Sequence, residues 1–142
     1  MKYNKNDKRR WEIIDDCFEN NRYEKDSYFG GVRHFQNLSI DKLETLLKEG
    51  FADPEENQNY SPTIKEFLEF ANRYKDFAEI TFNGYIVSPV RSDYRVSVDA
   101  ITIVPNNINN NERTMLAIAA MNFGKEADET DFNDDSFYLW WD

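Results

Sequence analysis

The sequence predicts an α+β fold, in which three N-terminal helices precede a β-hairpin, a further helix and a C-terminal strand on a small, mostly antiparallel sheet. Two patterns carry this prediction. Apolar residues recur at helical spacing up to residue 74, and β-branched and aromatic residues then alternate with polar ones. Helices grouped beside such a sheet bury both patterns in one core. A chain of 142 residues suits a single domain, 1–142.

The first helix is predicted over residues 6–21, where Trp11, Ile14 and Phe18 recur at helical spacing. Residues 23–37 follow it and contain two adjacent glycines, which break regular structure. This segment is therefore predicted to be a loop.

The next two helices are marked by residues that favour helix ends. The second covers residues 39–49, with Ser39 as its N-cap and a glycine directly after it. The third begins within SPTIKE, residues 61–66. A Ser-Pro pair and a Thr-x-x-Glu capping box are alternative markers there, and they agree on the start within two residues.

Two strands are predicted at residues 79–88 and 94–104, where β-branched and aromatic residues dominate. The alternation slips at Ala100–Ile101, which predicts a β-bulge. Asn83–Gly84 suits either a tight turn or a bulge. The bulge is favoured, because a turn would leave a very short first strand.

The last third of the chain is predicted as a helix over residues 111–123, an acidic linker and a strand in SFYLWWD, residues 136–142. The helix is expected to turn inward Met115, Leu116, Ala119 and Met121. The strand is expected to turn inward Phe137, Leu139 and Trp141. Its opposite face would carry Tyr138 and Trp140, of which Trp140 is the more plausible exposed anchor.

The charge balance narrows the classes of function. The chain has 27 acidic and 17 basic residues, a formal net charge of −10 and a pI near 4.6. Direct binding to nucleic acid or to an anionic membrane normally requires a basic surface, so both are disfavoured. The cysteine content and the hydropathy pattern bear on the cellular compartment. With one cysteine, no disulfide within the chain can form.

The sequence has no secretory signal pattern and no long apolar run. We therefore expect a cytoplasmic protein.

Three stretches resemble a known group of proteins. GFADPEENQNYSPTIKEFLEF, GYIVSPVRSDYRVSVDAI and the WWD ending are similar to small acidic hypothetical proteins of bacterial conjugative elements and prophages. The resemblance carries over no catalytic residue. It implies an accessory gene on mobile DNA, and such genes often encode small acidic inhibitors of restriction or CRISPR nucleases, several of which mimic DNA.

The chemistry-bearing residues predict no catalytic, metal or cofactor site. His34 is the only histidine, and no nucleophile or orienting acid lies at a fixed spacing from it. Cys17 lies on an apolar helix face, where a thiol is usually inert. A calcium-loop register is present in Asp131, Asn133, Asp135 and Asp142, but Ser136 takes the place of the required glycine. An enzyme is therefore not expected.

Acidic residues are concentrated near the carboxyl end, beside aromatic ones. Spaced carboxylates can imitate the phosphates of a duplex, and Tyr and Trp are frequent interface anchors. The predicted partner-binding residues are Glu126, Asp128, Glu129, Asp131, Asp134, Asp135, Tyr138 and Trp140. The expected partner is a protein with a basic, nucleic-acid-binding surface. The alternatives are a merely solvated acidic surface on a non-inhibitory accessory protein and, in third place, an enzyme.

Overall fold

The computed structural model describes residues 1–18, 28 and 30–142. Within them the chain forms four α-helices and one antiparallel sheet, as the α+β prediction requires. The helices are Asp7–Ile14 (α1), Ile40–Lys48 (α2), Ile64–Tyr74 (α3) and Asn110–Phe123 (α4). The strands are Val32–Ser39 (β1), Ala78–Val87 (β2), Val96–Pro105 (β3), Glu129–Phe132 (β4) and Phe137–Trp140 (β5).

Side chains at the helix ends explain where the helices begin and end. Ser39 accepts a hydrogen bond from the backbone N–H of Lys42, and Gly50 follows α2 with a φ of 84°. Thr63 and Glu66 form the capping box of α3. The predicted caps of α2 are confirmed, and the capping box is the correct marker of the third helix.

The sheet has the order β1-β2-β3-β5-β4, and each neighbouring pair is antiparallel. The register of β2 and β3 shifts between Asn83 and Gly84, which lie opposite Ala100 and Val98. Asp99 is thus the additional residue of a β-bulge. The predicted bulge at Gly84 is confirmed, and the slip in β3 lies one residue before the predicted position.

One face of the sheet is covered by the helices and the other is not. The inner face contributes Phe82, Ile101 and Leu139 to a core that α3 and α4 complete. Phe67 of α3 packs edge-on against Phe82, with ring centroids 6.0 Å apart. The loop that precedes α3 instead contacts the outer face, where its Gln58 and Glu56 bond strand residues.

The predicted element order is wrong at β1, which lies between the first and second helices in a segment predicted to be a loop. Gly30 and Gly31, with φ values of 62° and 86°, form a turn that leads into this strand. Its backbone groups are satisfied by pairing with β2, an interaction between distant residues that local composition does not report.

Three smaller predictions also differ from the structure. The acidic linker contains the short edge strand β4, which pairs with β5. On α4 the buried residues are Leu116 and Ala120, whereas Met115 and Met121 are 43% and 53% exposed. The helix α1 ends at Ile14 and continues as a short 3-10 turn, Asp15–Cys17. Residues 19–21 of the predicted first helix lie outside the described residues.

Candidate functional site

The outer face of the sheet carries a surface pocket of about 330 Å³. Residues from four of the five strands and from the loop before α3 line it. Its aromatic members are Phe35, Tyr85, Tyr138 and Trp140. Its polar and charged members include His34, Gln58, Asn83, Asp99 and Asp142. The pocket is thus a mixed aromatic and polar site, and Phe35 of the core also contributes to its lining.

The bulge in β3 creates the pocket's buried carboxylate. Because Asp99 is an additional residue in the strand, its side chain joins those of the outer face. Gly84 makes the bulge compatible with the partner strand, since a Cβ at that position would lie 1.9 Å from the carbonyl oxygen of Ser97. Only glycine permits this approach of the two backbones.

Asp99 is only 9% exposed, although it lines a surface pocket. Burial raises the pKa of its carboxyl above the ordinary value. Interactions with His34 and with the Trp140 side chain lower the same pKa and offset part of that effect. The carboxylate is therefore poorly solvated, and His34 and Trp140 are neighbours that favour its charged form.

Tyr85 and its neighbours form one wall of the pocket. The Tyr85 hydroxyl donates to Gln58 Oε1 at 2.7 Å and accepts from Arg95 at 3.0 Å. His34 packs edge-on against the same ring, with centroids 5.8 Å apart. His34 is exposed at the rim of the pocket. The loop before α3 thus holds the ring of Tyr85 in one orientation.

The acidic edge comprises the six predicted carboxylates on β4 and the segments that flank it. All six are exposed: Glu126, Asp128, Glu129, Asp131, Asp134 and Asp135. Within the described residues, none of their carboxylate oxygens has a lysine or arginine nitrogen within 4.0 Å. The acidic edge therefore presents negative charge to solvent without a compensating ion pair from those residues.

Backbone contacts hold the acidic edge in place. Arg113 of α4 donates to the carbonyl oxygens of Asn133 and Asp134, the first at 3.1 Å. The Asn133 side chain accepts from the backbone N–H groups of Asp135 and Ser136, which shapes the turn between β4 and β5. Asn133, one of the four residues of the calcium-loop register, thus serves as a turn residue.

The structure brings some of the predicted partner-binding residues together. In the β4–β5 register, Glu129 lies opposite Trp140 and Asp131 lies opposite Tyr138. Residues opposite each other share a face of the sheet, so these four form one patch that adjoins the pocket. The other four acidic residues, Glu126, Asp128, Asp134 and Asp135, lie beyond the ends of β4.

Trp140 and Tyr138 are half-buried rather than fully exposed. Both nevertheless line the pocket, as does His34 from the opposite edge of the sheet. Sequence reasoning missed the association of Tyr85 and Asp99 with these residues. The sequence did contain one signal for Asp99. The alternation of apolar and polar residues in β3 slips near Ala100, which marks the place where an additional residue joins the outer face.

The site offers carboxylates and aromatic rings, which suit recognition of positively charged groups. In the described part of the chain, no three His, Cys, Asp or Glu side chains are grouped as metal ligands. Likewise, none of the described helices is long and apolar enough to cross a membrane.

Comparison with known proteins gives no relative: no family model, curated protein or solved structure matches the chain. Inference about function therefore rests on the geometry of this site.

Proposed function

We propose that this protein is a small acidic binding module of a mobile genetic element, which acts in the cytoplasm by occupying a basic, nucleic-acid-binding surface of another protein. The observation that carries the proposal is the acidic edge: six exposed carboxylates in one segment, none of which forms a salt bridge with a lysine or arginine among the described residues. A positively charged groove would be complementary to it.

The placement of aromatic residues supports the same reading. Tyr138 and Trp140 on β5 lie opposite Asp131 and Glu129 on β4, so a row of rings lies beside a row of carboxylates in one patch. Interfaces combine aromatic anchors with charged rims in this way. In the sharper form of the proposal, the patch mimics nucleic acid and inhibits a CRISPR or restriction nuclease. An accessory protein without inhibitory activity is the alternative.

The test compares two charge variants with the parent. The first neutralises Glu129, Asp131, Asp134 and Asp135 to Gln or Asn. The second neutralises four exposed carboxylates elsewhere: Glu44, Glu55, Glu69 and Asp76. Both raise the net charge by four, so a difference between them reports the position of the charge. Proteins captured from a bacterial lysate by the immobilised parent are eluted with duplex DNA and identified by mass spectrometry.

Binding of a purified captured protein is then measured over a series of ionic strengths. For the parent, association should be fast and should slow steeply with salt. The first variant should associate at a rate near the unsteered value of about 10⁵ to 10⁶ M⁻¹s⁻¹, with a flatter salt dependence. The second should resemble the parent. Equal behaviour of the two variants would contradict the proposed role of the acidic edge.

An enzyme is a second candidate, because the only histidine shares a pocket with a buried carboxylate. A histidine near a carboxylate is a common general-base arrangement. Under the binding proposal, His34→Ala should leave partner binding and nuclease inhibition largely intact. Complete loss of biological activity in a variant that melts like the parent would favour the enzyme.

A further inference from the structure

We propose that the outer-face pocket binds the cationic end of an arginine or lysine side chain from the partner protein. This inference rests on the proposed function, because it supplies the specific contact beside the acidic edge. The pocket's buried carboxylate, its aromatic walls and its charged surroundings each support a positively charged occupant.

The buried carboxylate supplies the charge for direct recognition. Asp99 lines the pocket but is only 9% exposed, and its favourable interactions there are with the side chains of Trp140 and His34 and with backbone. A carboxylate oxygen can accept several hydrogen bonds. A guanidinium or ammonium group that enters the pocket would satisfy the remaining capacity with charge-assisted bonds, which are stronger than neutral ones.

The walls of the pocket are suited to the flat or compact cationic groups of these side chains. The aromatic rings of Tyr85, Tyr138 and Trp140 line the same pocket as the Asp99 carboxylate. Cations are attracted to the faces of such rings, most strongly to tryptophan. A volume of about 330 Å³ accommodates the end of one long side chain.

The charges around the pocket favour a cation over an anion. Asp142 lines it, and Glu129 lies opposite Trp140 in the β4–β5 register. The basic side chains at the pocket are His34, which lines it, and Arg95, which bonds Tyr85. The charge of Arg95 is already opposed by Asp93 at 3.1 Å and by Glu56 at 3.6 Å. A phosphate or carboxylate ligand would therefore meet net repulsion.

The decisive experiment uses the indole N–H signal of Trp140 in a two-dimensional ¹H–¹⁵N spectrum. The chain has three tryptophans, so the signal is assigned with Trp140→Phe. The intact protein is titrated separately with blocked arginine, blocked lysine and blocked citrulline, the neutral analogue of arginine. We expect the arginine or lysine probe to shift the signal in the millimolar range and citrulline to have at most a tenth of that affinity.

Asp99→Asn keeps a side-chain acceptor for Trp140 but removes the charge, so it should weaken binding of the cationic probes at least tenfold. If Asp99→Asn does not fold, Tyr138→Leu takes its place and must weaken the same binding. Equal shifts with citrulline, or no shift with either cationic probe, would overturn the proposal. Spermidine is titrated as a free polyamine, and binding of spermidine without binding of either blocked amino acid would also overturn it.

Failure of this inference and failure of the proposed function are distinguishable. If the acidic edge binds the partner but the pocket does not hold a basic side chain, neutralisation of the edge weakens partner binding while Asp99→Asn leaves it unchanged. If the pocket binds blocked arginine but the charge variants bind the partner equally, the acidic edge has no role and the pocket inference stands alone.

Discussion

Trp141 shows how single side chains hold the carboxyl end of this chain. It is 1% exposed, and its ring packs edge-on against Phe67 at 5.4 Å and Phe123 at 6.0 Å. Its backbone N–H donates to the Asp99 carbonyl oxygen at 2.9 Å. Two adjacent tryptophans therefore have different environments: Trp141 lies in the core, and Trp140 lies at the outer-face pocket.

Replacement of Trp141 by alanine should lower the free energy of unfolding by about 3–5 kcal/mol, because it leaves a cavity among the aromatic residues of α3 and α4. Tyr60→Ala is the matched control, since Tyr60 is 83% exposed and its loss should change stability by no more than about 0.5 kcal/mol. Urea unfolding of both variants measures the effect. Similar stabilities for the two would show that Trp141 is not part of the core.

Glu56 should make stability depend on pH. Burial raises the pKa of its carboxyl above the ordinary 4.5, although a hydrogen bond from Ser97 and the charge of Arg95 oppose the shift. Protons are therefore bound more tightly in the folded state than in the unfolded state. This contribution to stability is fully present below about pH 4.5 and is lost as pH rises through the folded-state pKa.

In Glu56→Gln the side chain at position 56 cannot ionise. The part of the fall in stability with rising pH that is due to Glu56 should therefore disappear. We expect the difference in unfolding free energy between variant and parent to change in favour of the variant as pH rises above about 4.5. Urea unfolding over a pH series measures it. Parallel pH profiles for parent and variant would show that the Glu56 pKa is the same in both states.

At the scale of secondary structure, the β2–β3 bulge links the core to the site. It allows Val98 and Ile101 both to face the core although they are three positions apart, and it places Asp99 in the pocket. Gly84 is essential to this arrangement, because a Cβ there meets a backbone carbonyl oxygen rather than a movable side chain.

Gly84→Ala should therefore destabilise the protein by about 3 kcal/mol or more, since a backbone must move to accept the added methyl group. Gly124→Ala is a close comparison, because its Cβ would meet only side-chain atoms of Leu139, the nearest at 2.7 Å. We expect a smaller loss of stability there. Equal or reversed effects in urea unfolding would contradict the role assigned to the bulge.

For the whole molecule, the residues that stabilise the fold are distinct from those of the acidic edge. The core consists of apolar residues, whereas the acidic edge is exposed and contributes little to that core. In an acidic chain, repulsion between like charges also destabilises the folded state.

Neutralisation of Glu129, Asp131, Asp134 and Asp135 should thus leave the melting temperature unchanged or raise it by a few degrees. Asp128 is excluded from this variant, because its carboxylate accepts the backbone N–H of Asp142 at 2.7 Å. Thermal unfolding followed by circular dichroism measures the result. A loss of more than a few degrees would show that these carboxylates take part in folding.

Local sequence patterns were sufficient for most of the elements. Apolar residues at helical spacing and capping side chains such as Ser39 and Thr63 predicted α2, α3 and α4 within a few residues, because these signals act over one or two turns; the end of α1 at Ile14 was not predicted. Period-two alternation predicted β2, β3 and β5 and the inward side of β5. Exposure of the six acidic residues also followed from their composition alone.

Tertiary structure alone decided the rest, because strand pairing joins residues that are distant in the sequence. β1 and β4 lack a strong local signal and are strands through their pairing with β2 and β5. The same pairing brings His34, Tyr85, Asp99 and Trp140 into one pocket from four different strands. The sequence by itself determined the apolar faces and the negative charge, whereas the fold decided which polar residues meet, since the sheet order depends on long-range hydrogen bonds that no local pattern encodes.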